Sequence, residues 1–137
     1  MQARERPRSW RSQTEEIKVG SLATMKILSI TTDPELSEFR RYALEAAGHE
    51  VVPLTSEKDA LRLVGDTADF EVVLICHHVL SSVARQIIRL VRQNHPAAKI
   101  VYIVRLYGEW PEVEADRYVA GADGPAALLR VITEVGA

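Results

Sequence analysis

The stretch that decides the fold is EVVLIC, residues 71–76, and its character is repeated in KIVYIV at residues 99–104. Apolar residues at successive positions indicate strands that are covered on both faces, as in the interior of a parallel sheet. Two further runs with strand character precede them, at residues 26–31 and 50–54. Segments of helical periodicity separate the runs, and this alternation is typical of βαβ units. The sequence therefore predicts an α/β domain with a parallel sheet.

The helices are predicted from their caps and from the spacing of apolar residues. Asp33 and Pro34 suit the N-cap and the first position of a helix, and Gly48 is placed to end it. Further helices are expected from Ser56, over residues 82–94 and from Pro125. In the first helix we expect a core-facing stripe made of Leu36, Phe39 and Ala43. In the third helix we expect a solvated row made of Arg85, Arg89 and Arg92.

Residues 105–124 allow two interpretations. They could hold one helix that continues through Val119, or a loop followed by a short fifth strand over residues 117–120. We favour the strand, because Tyr118 and Val119 are aromatic and β-branched and Gly121 follows them. A fifth strand would also cover the otherwise bare edge of the fourth.

Composition excludes several classes of function. The chain is 47% hydrophobic and 26% charged with a formal net charge of −2, which fits one globular domain and gives no cationic surplus for nucleic acid. No apolar run is long enough to span a membrane, so we expect no membrane contact and a cytoplasmic location. The single cysteine, Cys76, agrees with a reducing compartment. Both a monomer and a homodimer remain open.

The chain divides into two parts at its first strand. Residues 1–24 carry four arginines by position 11 and few apolar groups, so they are expected to be a disordered N-terminal extension. Residues 25–137 are expected to form the domain. Since Met25 directly precedes the first strand, we expect it to be the first residue of the native chain, which N-terminal sequencing would check.

Three motifs occur in the order found in the receiver domain of bacterial response regulators. They are KILSITTDPEL, FEVVLICHHVL and ADRYVAGADGPAALLRVI, and together the resemblance covers the chain after Met25. It implies a flavodoxin-like, doubly wound sheet of five parallel strands in the order 2-1-3-4-5. The connection between the fourth and fifth strands is shorter than in receivers, which implies an abbreviated fourth helix.

The same resemblance identifies the positions at which receivers form an aspartyl phosphate. That reaction needs a carboxylate nucleophile, acidic ligands for Mg²⁺, and a hydroxyl and an ammonium for the phosphoryl oxygens. The acidic pair falls on Thr31 and Thr32, and Asp33 after them is the one carboxylate kept. The acceptor falls on Cys76, the hydroxyl on Val104 and the lysine on Gly121. We therefore expect a pseudo-receiver without catalysis, cofactor or metal.

The expected function is that of a non-phosphorylatable signalling module of a two-component or phosphorelay-type system. It would act in trans by protein–protein interaction with an unidentified signalling protein. The resemblance implies that the partner surface includes Tyr118, at the aromatic switch position, and the loop residues Tyr107 and Trp110. Trp110 could equally fold back to cover core.

Two alternatives remain. One is a sensor that responds through Cys76 redox chemistry or through a small anion near Thr31, Thr32 and Arg105. The other is a conventional phosphorelay receiver. Cys76, His77 and His78 are also residue types that bind zinc. Because neighbouring strand residues point to opposite faces, we expect these three not to converge unless the chain turns at once.

Overall fold

A computed structural model describes residues 24–66, 69–106, 108 and 113–136 of the chain. These residues form a five-stranded sheet in the order β2-β1-β3-β4-β5, and every neighbouring pair of strands is parallel. This arrangement confirms the predicted fold class. The elements are β1 (Lys26–Ile30), α1 (Pro34–Ala46), β2 (Glu50–Leu54), α2 (Glu57–Val64), β3 (Val72–Cys76), α3 (Ser81–Asn94), β4 (Lys99–Val104), β5 (Arg117–Ala120) and α4 (Gly124–Gly136).

Alternation along the strands sends successive side chains into two core layers on opposite faces of the sheet. In β3, Val72 and Leu74 join the layer beneath α1 and α4, whereas Val73 and Ile75 join the layer beneath α2 and α3. All five residues of β3 are buried. Burial on both faces explains why EVVLIC is apolar at successive positions instead of alternating.

The short fifth strand is confirmed. Arg117–Ala120 pairs with β4, with Val104 opposite Ala120, so it covers the edge that β4 would otherwise expose. The described part of the connection before it, residues 105–106, 108 and 113–116, contains no helix. The predicted partner residues Tyr107 and Trp110 lie outside the described residues.

The predicted ends of α1 are confirmed by its caps. Oδ1 of Asp33 accepts hydrogen bonds from the backbone N–H groups of Glu35 and Leu36, at 3.1 and 3.3 Å. Pro34 occupies the first helical position. Gly48 follows the helix with a φ of 96°, in the left-handed region that glycine adopts without strain.

The predicted buried stripe of α1 is wrong by about one position. The buried residues of this helix are Ser37, Arg40 and Leu44, while Phe39 keeps 56% of its surface exposed. Leu44 is fully buried against the sheet, and this fixes the rotation of the helix. The residues expected in the core consequently border a groove between α1 and α4, instead of packing under the helix.

The other helices follow the predicted pattern. Ser56 caps α2, because its Oγ accepts the backbone N–H of Asp59 at 3.2 Å. The three arginines of α3 are exposed, and Arg92 pairs with Asp116 at 3.4 Å. Among the helices of the described residues, none is both long and apolar enough to cross a bilayer.

His49 connects the start of β1 to the end of α1 and should make stability depend on pH. Its Nδ1 accepts a hydrogen bond from the backbone N–H of Met25 at 3.2 Å. Burial of the ring lowers the pKa of His49 from its ordinary value. Both effects favour the neutral ring in the folded protein.

We predict that the free energy of unfolding decreases as the pH falls from about 6.5, the pKa of an unfolded histidine, through the lower folded-state pKa of His49. In this window the unfolded chain binds more protons than the folded one, so acid favours unfolding. Urea unfolding at a series of pH values measures the effect. The variant His49→Asn keeps an acceptor near Nδ1 without a titratable ring, and it should lose part of the decrease. An equal decrease in both proteins would contradict the prediction.

Candidate functional site

The carboxyl ends of four neighbouring strands meet at one edge of the sheet, because all pairs are parallel. Thr31 directly follows β1, Cys76 and Val104 are the last residues of β3 and β4, and Gly121 directly follows β5. Backbone bonds continue past the strands: the N–H of His77 donates to the carbonyl of Ile103 at 3.0 Å. The edge is therefore the ligand site expected of this kind of sheet.

The two threonines at this edge tie loops together. Thr31 is fully buried, and its Oγ1 accepts the backbone N–H of Asp33 at 3.3 Å. Thr32 is exposed, and its Oγ1 donates to the backbone carbonyl of His78 at 3.3 Å. The carboxylate of Asp33 caps α1.

Cys76 and the two histidines after it converge, which corrects our expectation. The chain turns immediately after β3, and the N–H of Val79 donates to the carbonyl of Cys76 at 3.0 Å. The turn brings Nδ1 of His78 to 3.3 Å from Sγ of Cys76. One ligand atom from each of the three side chains lies within 4.8 Å of the others. Cys76 is fully buried, whereas His78 is exposed.

Gly121, at the position of the receiver lysine, faces an arginine that the sequence did not single out. A Cβ built on Gly121 would lie 3.5 Å from Cγ2 of Ile103 and 3.8 Å from Nη2 of Arg40. Arg40 extends from the sheet side of α1 and is only 8% exposed. The sequence signal that could have identified Arg40 is its helical spacing from Ser37 and Leu44, which lie on the buried face of α1.

Arg40 lines a groove of about 70 Å³ between α1 and α4. Its neighbour Arg41 is in a different position, on the outer side of the helix, where it forms ion pairs with Glu38 at 2.7 Å and Glu45 at 3.0 Å. The hydrogen bond with Glu38 raises the pKa of Arg41, and the same bond lowers the pKa of Glu38. The walls of the groove are Leu36, Phe39, Ala43, Ile103, Val119, Ala120, Gly121, Gly124, Pro125 and Leu128.

Tyr118 fixes the loop that leads into β5. Its hydroxyl donates to the carbonyl of Val113 at 2.8 Å and accepts the N–H of Ala115 at 3.0 Å. Its ring lies edge-on to that of Tyr102, with centroids 6.4 Å apart. The side chain remains 43% exposed, so the ring is both a tether and part of the surface.

Comparison with solved structures places this fold among receiver domains. The chemotaxis protein CheY4 of Vibrio cholerae is 20% identical, with a TM-score of 0.70 over 82% of this chain and 99% of that one. The receiver domain of sensor histidine kinase PA1611 from Pseudomonas aeruginosa, which holds a magnesium ion in its active site cleft, is 18% identical, with a TM-score of 0.69 over 84% and 100%. The response regulator TrrA of Thermotoga maritima, in complex with Mg²⁺ and beryllofluoride, is 18% identical, with a TM-score of 0.67 over 82% and 99%.

No protein-family model and no curated protein sequence matches the chain. At these identities the structural likeness establishes the fold, which is that of CheY-like receiver domains with the strand order 2-1-3-4-5.

We predict that Tyr118→Phe lowers the free energy of unfolding by about 1 kcal/mol, because the ring stays but two hydrogen bonds are lost. Hydrogen exchange of the Ala115 amide should become faster, since that N–H loses its acceptor. Tyr42→Phe is the matched control, because Tyr42 lies on α1 and is 73% exposed. Unchanged exchange at Ala115 would show that Tyr118 does not hold the loop.

Proposed function

We propose that this chain is a receiver-like signalling module that is not phosphorylated and acts by contact with another protein. The observation that carries the proposal is the donor set at the carboxyl edge of the sheet. At the end of β3, where receivers carry the acceptor aspartate, the chain has the fully buried thiol of Cys76. The proposal is that the receiver fold is kept as a scaffold and that its reaction is lost.

The residues at this edge do not fit Mg²⁺. This ion requires oxygen ligands in near-octahedral geometry, supplied in such sites by carboxylates. Two of the three positions after β1 hold threonines, and their hydroxyls already bond to backbone groups. The remaining carboxylate, on Asp33, accepts two N–H groups of α1. A thiol and imidazoles complete the edge, and these ligands suit softer metals than Mg²⁺.

The hydroxyl and the ammonium that phosphoryl transfer requires are also missing from their positions. Val104 has no hydroxyl, and its side chain is buried in the layer beneath α2 and α3. Gly121 has no ammonium to stabilise charge on a phosphoryl oxygen. We accordingly propose that the chain catalyses no phosphoryl transfer.

In the test, the protein is incubated with acetyl phosphate and Mg²⁺ and is then analysed by intact mass spectrometry. We predict no added phosphate, and no change in the NMR spectrum on addition of Mg²⁺ and beryllofluoride. TrrA is the positive control, because its structure holds both ligands. A mass increase of one phosphate, or beryllofluoride shifts at Cys76 and Gly121, would favour the conventional receiver.

The proposed partner surface is the edge of the domain around β5 and the loop that precedes it. Tyr118 contributes an exposed ring on a backbone that its own hydroxyl holds in place. A preordered aromatic side chain is a good anchor for binding, since little conformational entropy is lost on contact. Tyr107 and Trp110 belong to the same loop in the sequence.

We predict that Trp110→Ala abolishes recovery of a specific protein that copurifies with the wild-type chain from its native cells. Tyr42→Ala removes an exposed aromatic side chain from α1 and should leave recovery intact. Quantitative mass spectrometry of the captured proteins measures the amount of partner recovered with each variant relative to the wild type. Equal recovery by the wild type and Trp110→Ala would place the partner surface elsewhere.

A second candidate function is a sensor that uses Cys76. The contact of 3.3 Å between its Sγ and Nδ1 of His78 favours this candidate, because a protonated imidazole stabilises a thiolate. Titration of the thiol in folded and unfolded protein separates the two functions: a sensor requires reaction in the folded state. The titration is run with and without Zn²⁺, and protection by Zn²⁺ would contradict our expectation that the cluster binds no metal.

A further inference from the structure

We propose that the groove between α1 and α4 binds a small carboxylate with an apolar body, and that the guanidinium of Arg40 pairs with the carboxylate group. The inference goes beyond the proposed function and does not depend on it. It would remain valid if the carboxyl edge of the sheet were phosphorylated.

The first argument is that Arg40 is a largely buried residue whose guanidinium has no partner among the described residues. Arg40 is 8% exposed, and among the described residues it forms no hydrogen bond or ion pair. Among the described residues, the buried side-chain nitrogen or oxygen atoms without a partner include Nε2 of His95 but none of Arg40, so the guanidinium nitrogens keep contact with solvent. Since the described residues provide no partner for this guanidinium, it is available to a bound anion.

Three of the carboxylates close to Arg40 in the sequence are already engaged. Glu38 and Glu45 pair with Arg41 on the outer side of α1. Asp33 accepts two backbone N–H groups at the start of the same helix. These contacts leave Arg40 directed toward the groove, within 3.8 Å of the point that a Cβ of Gly121 would occupy.

The second argument is the position of α4. This helix has 13 residues and begins at the groove, where Gly124 and Pro125 form part of the wall. The amino end of a helix carries a partial positive charge equivalent to about half an elementary charge. The positive charge of Arg40 and the partial positive charge at the start of α4 therefore both act on the groove, so an anion is favoured there.

The third argument identifies the chemistry of the ligand. One guanidinium offers a planar fork that matches a carboxylate in a bidentate pair. The walls on either side are apolar, with Leu36, Phe39 and Leu128 among them. The volume of about 70 Å³ exceeds the roughly 10–15 Å³ that a single water requires. A monoanionic carboxylate on an aliphatic or aromatic body fits this combination better than a multiply charged, strongly hydrated phosphate.

The test uses benzoate as the probe and the full chain. We expect benzoate to shift the NMR signals of Ala120, Gly121 and Gly124, which border the groove, and to raise the Tm. Benzamide, which has the same shape without the charge, should do neither. Phenyl phosphate should bind more weakly than benzoate, and tighter binding by phenyl phosphate would overturn the choice of a carboxylate.

Arg40→Met removes the charge and retains an unbranched apolar side chain, and Arg41→Met is the matched control on the exposed side of α1. We expect Arg40→Met to weaken benzoate binding by about tenfold or more, the effect of a charged hydrogen bond, and Arg41→Met to leave it unchanged. Arg40→Lys keeps the charge without the fork and should bind with intermediate affinity, which remains measurable if Arg40→Met folds poorly. Absence of benzoate-induced shifts at the groove in the wild type would overturn the proposal. Equal benzoate binding by the wild type, Arg40→Lys and Arg40→Met would also overturn it.

Discussion

The fold depends on one constraint, which is that a sheet of five parallel strands is covered by helices on both faces. Each strand must then supply apolar side chains to two layers, and β3 does so at every position. The connections between parallel strands must return across a face, so α1 and α4 cover one layer while α2 and α3 cover the other. The same constraint brings the carboxyl ends of the strands to one edge. What the domain can do chemically is decided there, by the residues at which the strands end.

The side chains at the carboxyl edge of the sheet are largely neutral. Thr31 and Thr32 bond to backbone atoms, and Cys76 lies against the imidazole of His78. Clustered carboxylates would repel one another without a cation, and receivers tolerate that repulsion because the ion is part of the reaction. Hydroxyls and a thiol carry no such cost. A domain with these residues therefore avoids the carboxylate repulsion that a bound ion offsets in receivers.

The sequence predicted what is decided by neighbouring residues. The strands β2, β4 and β5 have the predicted bounds, and Asp33 and Ser56 cap their helices, because caps and apolar runs are local signals. The predicted rotation of α1 was wrong. Two neighbouring faces of the helix, one with Leu36 and Phe39 and the other with Leu44, could each pack against the sheet. Only contact with the sheet and with α4 decides between these two faces. The convergence of Cys76 with His77 and His78 was also missed, because it depends on a turn that follows β3 immediately.

Arg40 was missed for a different reason, and that reason connects the two parts of the domain. An arginine between apolar residues of a helix is ordinarily assigned to the surface, with its charge in water. Here its guanidinium occupies space beside Gly121, the position at which receivers carry a lysine. A lysine at 121 would have its Cβ in ordinary van der Waals contact with Nη2 of Arg40, at 3.8 Å, and would bring a second cation to the same part of the domain. Glycine at 121 therefore adds no second positive charge near Arg40, whereas a lysine would do so. Gly121 thus leaves the carboxyl edge without the ammonium of receivers, while the guanidinium of Arg40 lies beside its backbone.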